Sequence, residues 1–156
     1  MQETILIQTD FRPESLILIR TAIQNNPGSK LDIVLVHGVQ MTDSITELLF
    51  FSKGRLLQKL SNTAFDEGLA EIRADYAGSI NSLRVELFTG FNQTAFNNFL
   101  EANKISQIFS SNTYPFKSPY KHSKDLTAFI HKSVQKKVEI SWSVPNTPFN
   151  KFALSR

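Results

Sequence analysis

The sequence predicts an α/β domain built on an open, doubly wound, five-stranded parallel sheet with helices on both faces. Two observations carry this. Short β-branched, apolar runs alternate along the chain with stretches whose apolar residues recur at helical spacing, the order that right-handed crossovers turn into a parallel sheet. The run LDIVLVHG at 31–38 is apolar almost without interruption, as a strand is when both faces of its sheet are covered.

The elements follow in order. TILIQTD (4–10) reads as the first strand, and PESLILIRTAIQNN (13–26) as a helix stopped by the breaker PGS. After the second strand at 31–38, a long helical stretch runs from about Ser44 to Tyr76, with breaks near Gly54 and Gly68. RVELFTG (84–90) is the third strand, SQIFSS (106–111) a weaker fourth and VEISWSV (138–144) the fifth. Helices are expected from Asn92 to Ala102 and from Ser123 to about Gln135, with Asn92 and Ser123 as N-caps because each offers a side-chain acceptor just before an apolar-periodic run. The α/β domain is expected over 1–142. The tail 143–156, SVPNTPFNKFALSR, is punctuated by proline and asparagine.

Composition narrows the chemistry. With 156 residues, 41% of them apolar, the chain suits one domain with a sizeable core. No apolar run approaches the roughly 18 residues that span a bilayer, and MQETILIQTD has no basic leader, so a cytoplasmic location is expected. There is no cysteine, and the three histidines match no zinc spacing, so neither a metal nor a thiolate site is expected. Charge is unevenly spread: residues 1–102 carry 8 Lys/Arg against 12 Asp/Glu, and residues 103–156 carry 9 against 2. Such a basic third either forms an anion-binding surface or solubilises an exposed helix and tail.

In doubly wound sheets ligands lie beyond the carboxyl ends of the strands. The residues to read are therefore Thr9, Asp10 and Phe11, His37 and Gly38, Thr89 and Gly90, and the loop SSNTYPFKSPYKHSKD at 110–125. On residues alone, Asp10 is either a ligand contact or a helix-terminal acid, and His37 a satisfied buried histidine, since no acid or nucleophile accompanies it in sequence. Gly90 reads as a tight turn or a close backbone approach. ILIQTDF, then LVHG, then TG opening a helix, then a further apolar strand, in this order and spacing over residues 4 to about 142, resemble the universal stress protein superfamily. The resemblance implies an adenine nucleotide alpha hydrolase-like sheet and a role in stress response. It also implies nucleotide-site roles for Thr9, Asp10 and Gly38.

ATP-binding members of that family carry Gly, two residues, Gly, nine residues, then Gly followed by Ser or Thr, because bare amides must approach the phosphates. Laid on this chain from Ser111, the second glycine becomes Tyr114, the third Lys124 and the hydroxyl residue Asp125. The chain thus resembles a divergent member without the glycine-rich loop, and no cofactor is expected, ATP or another nucleotide remaining the alternative. Either the loop plugs the strand ends with its own aromatics, or it holds another small anion on Lys117, Lys121, Lys124 and the Ser123 hydroxyl.

The leading functional expectation is a non-catalytic binding or signalling module that does not depend on ATP. The alternative is a nucleotide or small-anion binder with a remodelled phosphate loop. No Ser-His-Asp spacing, GxxxxGK[ST] or GxGxxG supports an enzyme, and the lysines interleaved with Tyr114, Phe116 and Tyr120 give nucleic acid a lower rank. The resemblance further implies a homodimer paired through the last strand, with Val138, Ile140 and Trp142 at or near the contact.

Overall fold

The computed structural model describes residues 2–40, 52–118 and 120–142. Strand β1 (Gln2–Gln8) leads through a 3-10 turn (Pro13–Leu16) into α1 (Ile17–Gln24) and β2 (Lys30–Val39). Helices α2 (Lys53–Leu60) and α3 (Thr63–Asp75) precede β3 (Ile80–Phe88), and α4 (Gln93–Ala102) precedes β4 (Gln107–Ser110). The chain then forms the two-residue β5 (Ser123–Lys124), α5 (Thr127–His131) and β6 (Lys136–Glu139).

The strands lie in the order β3-β2-β1-β4-β6, each pairing along this path being parallel. The expected five-stranded doubly wound sheet is therefore present. Its order reverses between β1 and β4, which makes that gap the switch point. Alternation along each strand divides the core into two layers. Ile5, Ile7, Ile33, Leu35 and Phe109 face α1 and α3, meeting Leu18, Ile19, Phe65, Leu69 and Ile72. Leu6, Val34, Val36 and Ile108 face the opposite way onto Phe96, Leu100, Leu126 and Ile130. Phe65, Phe96 and Phe109 are among the largest fully buried side chains, and burying each contributes about 1.5–3 kcal/mol.

Helix starts follow local chemistry. Asn92 caps α4 as expected, accepting from the Ala95 N–H at 2.9 Å, and Asn62 caps α3 by accepting from Phe65 N–H at 2.8 Å. A helix start falls beside Gly54, where Ser52 is extended and caps α2, and the second break falls at Ser61 and Asn62, where the α3 cap sits, and not at Gly68. Gly68 lies inside α3 because Leu16 packs where its Cβ would stand. The part of that stretch from Ser44 to Phe51, and the tail 143–156, lie outside the described residues.

The largest correction concerns Ser123. It is not an N-cap: Ser123 and Lys124 pair antiparallel with Val39 and Gly38, and the helix begins only at Thr127 and ends at His131. The reason is a length mismatch. β2 outruns β1, whose pairing stops at Gln8 opposite Val36, so the exposed edge at Gly38 and Val39 is taken by β5. Asp125 fixes the turn before the helix, its Oδ1 accepting from Thr127 N–H at 3.0 Å and from the Thr127 hydroxyl at 2.6 Å. No helix among the described residues is long and apolar enough to cross a membrane.

Candidate functional site at the switch point

Parallel strands bring Asp10, Gly38, Gly90 and Ser111 to the same carboxyl edge, as the topology requires. Their surroundings then separate them. Thr9 is buried, its hydroxyl 3.0 Å from that of Ser15 and accepting from Phe11 N–H at 3.1 Å. Phe11 adopts φ 66°, a left-handed conformation that costs about 1–2 kcal/mol for a residue with a Cβ. Packing holds it there, with its ring edge-on to His37 at 4.9 Å and tilted against Phe65 at 5.2 Å, and its carbonyl accepting from Asn62 Nδ2 at 2.9 Å.

Asp10 is fully buried and surrounded by donors from its own chain. The Tyr114 hydroxyl lies 2.8 and 2.7 Å from its two oxygens, and Lys117 N–H donates to Oδ2 at 2.9 Å. Arg12 donates through its backbone N–H at 3.1 Å and its Nε at 3.0 Å. Asp10 therefore caps no helix: the N-cap position of the 3-10 turn is Arg12, with no side-chain cap bond. Arg12 also reaches the Pro115 carbonyl and lies 5.2 Å from the Tyr114 ring centroid. Burial works against the Arg12 charge, but the hydrogen bond to Asp10 and its negative charge hold the guanidinium above its ordinary pKa. Burial, then the bond to Asp10, push the Tyr114 hydroxyl upward, so it stays a donor. Trp142 meets Tyr114 edge-on at 5.0 Å, and its indole N–H donates to the Glu14 carbonyl at 2.9 Å.

His37 is likewise buried and satisfied. Nδ1 lies 2.8 Å from the Thr9 carbonyl, which can only accept, and Nε2 lies 2.7 Å from the Ser123 hydroxyl. Burial lowers its pKa, and Nδ1 carries the proton donated to the Thr9 carbonyl. The Ser118 hydroxyl stands 2.8 Å from that of Ser123, extending the chain of bonds into the loop. Phe116 stacks over the ring at 6.2 Å.

Gly38 is hemmed in: a Cβ there would meet the Lys124 carbonyl at 2.5 Å and Leu126 at 2.7 Å. With Phe88 on one side and Lys124 on the other, its backbone edges are occupied within the chain. Gly90 is a packing glycine, its Cβ position lying 2.6 Å from both Ala95 and Phe88. The loop lysines do not converge. Lys117 contributes its amide to Asp10, Lys121 is exposed, and Lys124 places its ammonium 4.6 Å from the Phe129 ring centroid.

A cleft of about 310 Å³ remains open on the β4 side of the switch point. Leu18, Phe109 and Ile130 supply apolar lining, Tyr114 and Phe116 aromatic lining, and Gln8, Ser110, Ser111, Asn112, Asp125, Thr127 and His131 the polar part. Gln8 ties its two sides together, donating to Asp125 Oδ1 at 3.2 Å and accepting from Leu126 N–H at 2.6 Å. Of the residues singled out in sequence, Ser111 lines this cleft, its hydroxyl 3.0 Å from that of Thr113, as do the loop aromatics Tyr114 and Phe116. Gln8, Ser110 and Thr127 were missed. The one available signal was their position at strand ends or at the helix start.

At the other end of the sheet order, the residues expected at a dimer contact are used inside the chain. Ile140 is buried in the core, Val138 packs against it half-buried, and Trp142 is held by Tyr114, Glu14 and Thr113.

No family model and no curated protein matches the chain in sequence. Solved structures do match. A hypothetical protein is 16% identical over 90% of this chain and 96% of its own, with a TM-score of 0.54. A universal stress protein in complex with cAMP is 17% identical over 90% and 98%, at 0.50. A member of the universal stress protein family from Burkholderia pseudomallei is 14% identical over 88% and 95%, also at 0.50. At such identities the likeness is one of fold, and it extends over nearly the whole of each chain: this protein has the α/β fold of the universal stress proteins.

Proposed function

We propose that this protein is a non-catalytic binding or signalling module of the universal stress protein type, serving stress response in the cytoplasm without dependence on ATP. One observation carries the reading. The buried Asp10 carboxylate at the end of β1 is bonded by Tyr114, Lys117 and Arg12 of its own chain, so the loop after β4 fills the space above it. A neighbouring fold holds cAMP, which makes nucleotide the natural first ligand to try. Here a polyphosphate at the cleft meets Asp125 and no lysine or arginine among the lining residues. One misplaced carboxylate beside it costs on the order of a few kcal/mol in a partly desolvated site.

Calorimetric titration with ATP tests this. The parent is expected to show no saturable binding into the millimolar range, and Tyr114→Gly with Lys124→Gly and Asp125→Ser to gain measurable affinity. Micromolar binding by the parent would overturn the reading in favour of a remodelled nucleotide site.

The reading includes a homodimer through the last strand. β6 ends the strand order, bonded to β4 on one side, and Lys136, Lys137 and Glu139 along it are exposed. An edge strand of this kind is a template for antiparallel pairing. Sedimentation should show a dimer at tens of micromolar that Glu139→Pro, on the edge facing away from β4, disrupts. Monomer throughout that range would remove the dimer from the proposal.

A further inference from the structure

The cleft beside the closed Asp10 end has its own chemistry, and it is the opposite of a phosphate site. Asp125 is the one lining carboxylate, and none of Lys117, Lys121 and Lys124 lines the cleft. Its Oδ1 is occupied by Gln8 and Thr127, which fix the orientation of the group. Its Oδ2 has no hydrogen-bond or ion-pair partner among the described residues. The aromatic rings of Tyr114 and Phe116 and the apolar side chains of Leu18 and Ile130 share the same space.

We propose that this cleft binds a small organic cation, with an ammonium or amidinium head at Asp125 Oδ2 and an apolar or aromatic body against Tyr114, Phe116 and Ile130. The proposal rests on the preceding reading, since it takes the loop as closed over Asp10. Three physical features favour a cation. A carboxylate held by neighbouring donors with one oxygen free accepts a charge-assisted bond with little reorganisation. Aromatic faces attract a cation through their quadrupole and give an apolar body a flat surface. The volume lies at the lower end of the range for small-molecule sites, and five apolar or aromatic side chains share the lining with seven polar ones. An anion of the same shape meets the Asp125 charge with no lysine or arginine in the lining.

Three phenyl probes of similar size isolate the sign of the charge: benzylammonium, benzyl alcohol and benzoate, titrated by NMR with the shifts mapped onto the chain. Benzylammonium is expected to bind at least about fivefold more tightly than benzoate, the scale of one partly exposed ion pair with a ring contact. The perturbed amides should include Gln8, Asp125 and Thr127. Asp125→Asn keeps an Oδ1 acceptor for Gln8 and Thr127, so it should preserve the fold while abolishing the preference. Ser110→Lys, which sets a cation in the cleft, should prevent benzylammonium binding independently. Equal or tighter binding of benzoate, an unchanged preference in Asp125→Asn, or no saturable benzylammonium shifts at these residues would each overturn the proposal. Tight ATP binding by the parent, in contrast, sinks the ATP-independent reading, so the two failures are distinguishable.

Discussion

The two sides of the switch point make a contrast. Above β1, every polar group at the resembling motif is bonded within the chain: Thr9 to Ser15 and Phe11, Asp10 to Tyr114, Lys117 and Arg12, His37 to Thr9 and Ser123. Beside β4, Asp125 and Ser110 face a cleft and retain bonding capacity. The closed side is organised for stability, and the open side is where binding chemistry is left over. Position in a motif therefore does not establish function here. What decides it is whether the polar group still has a vacant bond once the loop has folded.

The strongest way to break the contrast is to remove the hub of the closed side. Asp10→Ala strands the Tyr114 hydroxyl, the Lys117 amide and the Arg12 guanidinium at once, and is expected to cost about 3 kcal/mol or more in urea unfolding. A cost near zero would mean that Asp10 is not the hub. Gly38→Ala comes next. Its Cβ collides with the Lys124 carbonyl and Leu126, so β5 must part from β2; a loss of about 1–3 kcal/mol is expected, with faster amide exchange at Gln40, whose N–H donates to the His122 carbonyl.

A smaller effect sharpens the comparison. Tyr114→Phe keeps the ring against Trp142 and Arg12 but deletes the donor to Asp10, and should cost about 1–2 kcal/mol. On the open side, Asp125→Asn should cost under about 1 kcal/mol, because its exposed carboxylate is replaced by a side chain with the same Oδ1 acceptor. Reversal of that order would contradict the assignment of stability to one side and binding to the other.

The smallest expected effect is in pH. Burial holds His37 neutral with a pKa below its ordinary 6.5. The unfolded chain therefore takes up a proton at His37 first as pH falls, and by linkage stability decreases below about 6.5 until the folded-state value is reached. Above that window the contribution is complete. His37→Gln should have a shallower loss of stability on acidification than the parent, whatever its stability at neutral pH. Parallel pH profiles would show that His37 does not titrate differently in the two states.

Much of this fold was legible because periodicity reports burial. LDIVLVHG is continuous since β2 is covered on both faces, and Asn92 was readable as a cap because the acceptor and the following helix are local. The errors come from interactions that are not local. Ser123 has a capping side chain, yet the extra length of β2 beyond β1 draws it into an antiparallel pair, a consequence of strand length and register that no local pattern encodes. The lack of glycine in the loop separates it from the glycine-rich pattern in sequence, and leaves a plug and an altered anion site as the two readings. That Tyr114 would reach Asp10, 104 positions away in the chain, was not legible. The lysine cluster misled for a further reason: charge counted along the sequence says nothing about which way each ammonium turns, and Lys124 turns onto Phe129.

Tyr114 closes the β1 end by bonding Asp10, and a double-mutant cycle on that pair isolates the bond. Asp10→Ala, Tyr114→Phe and the double variant are compared with the parent by urea unfolding. A coupling of about 1–2 kcal/mol is expected, since Asp10 is fully buried and the Tyr114 hydroxyl bonds it. Additive single effects, with coupling indistinguishable from zero, would contradict it and return Asp10 to the ligand site that the resemblance implies.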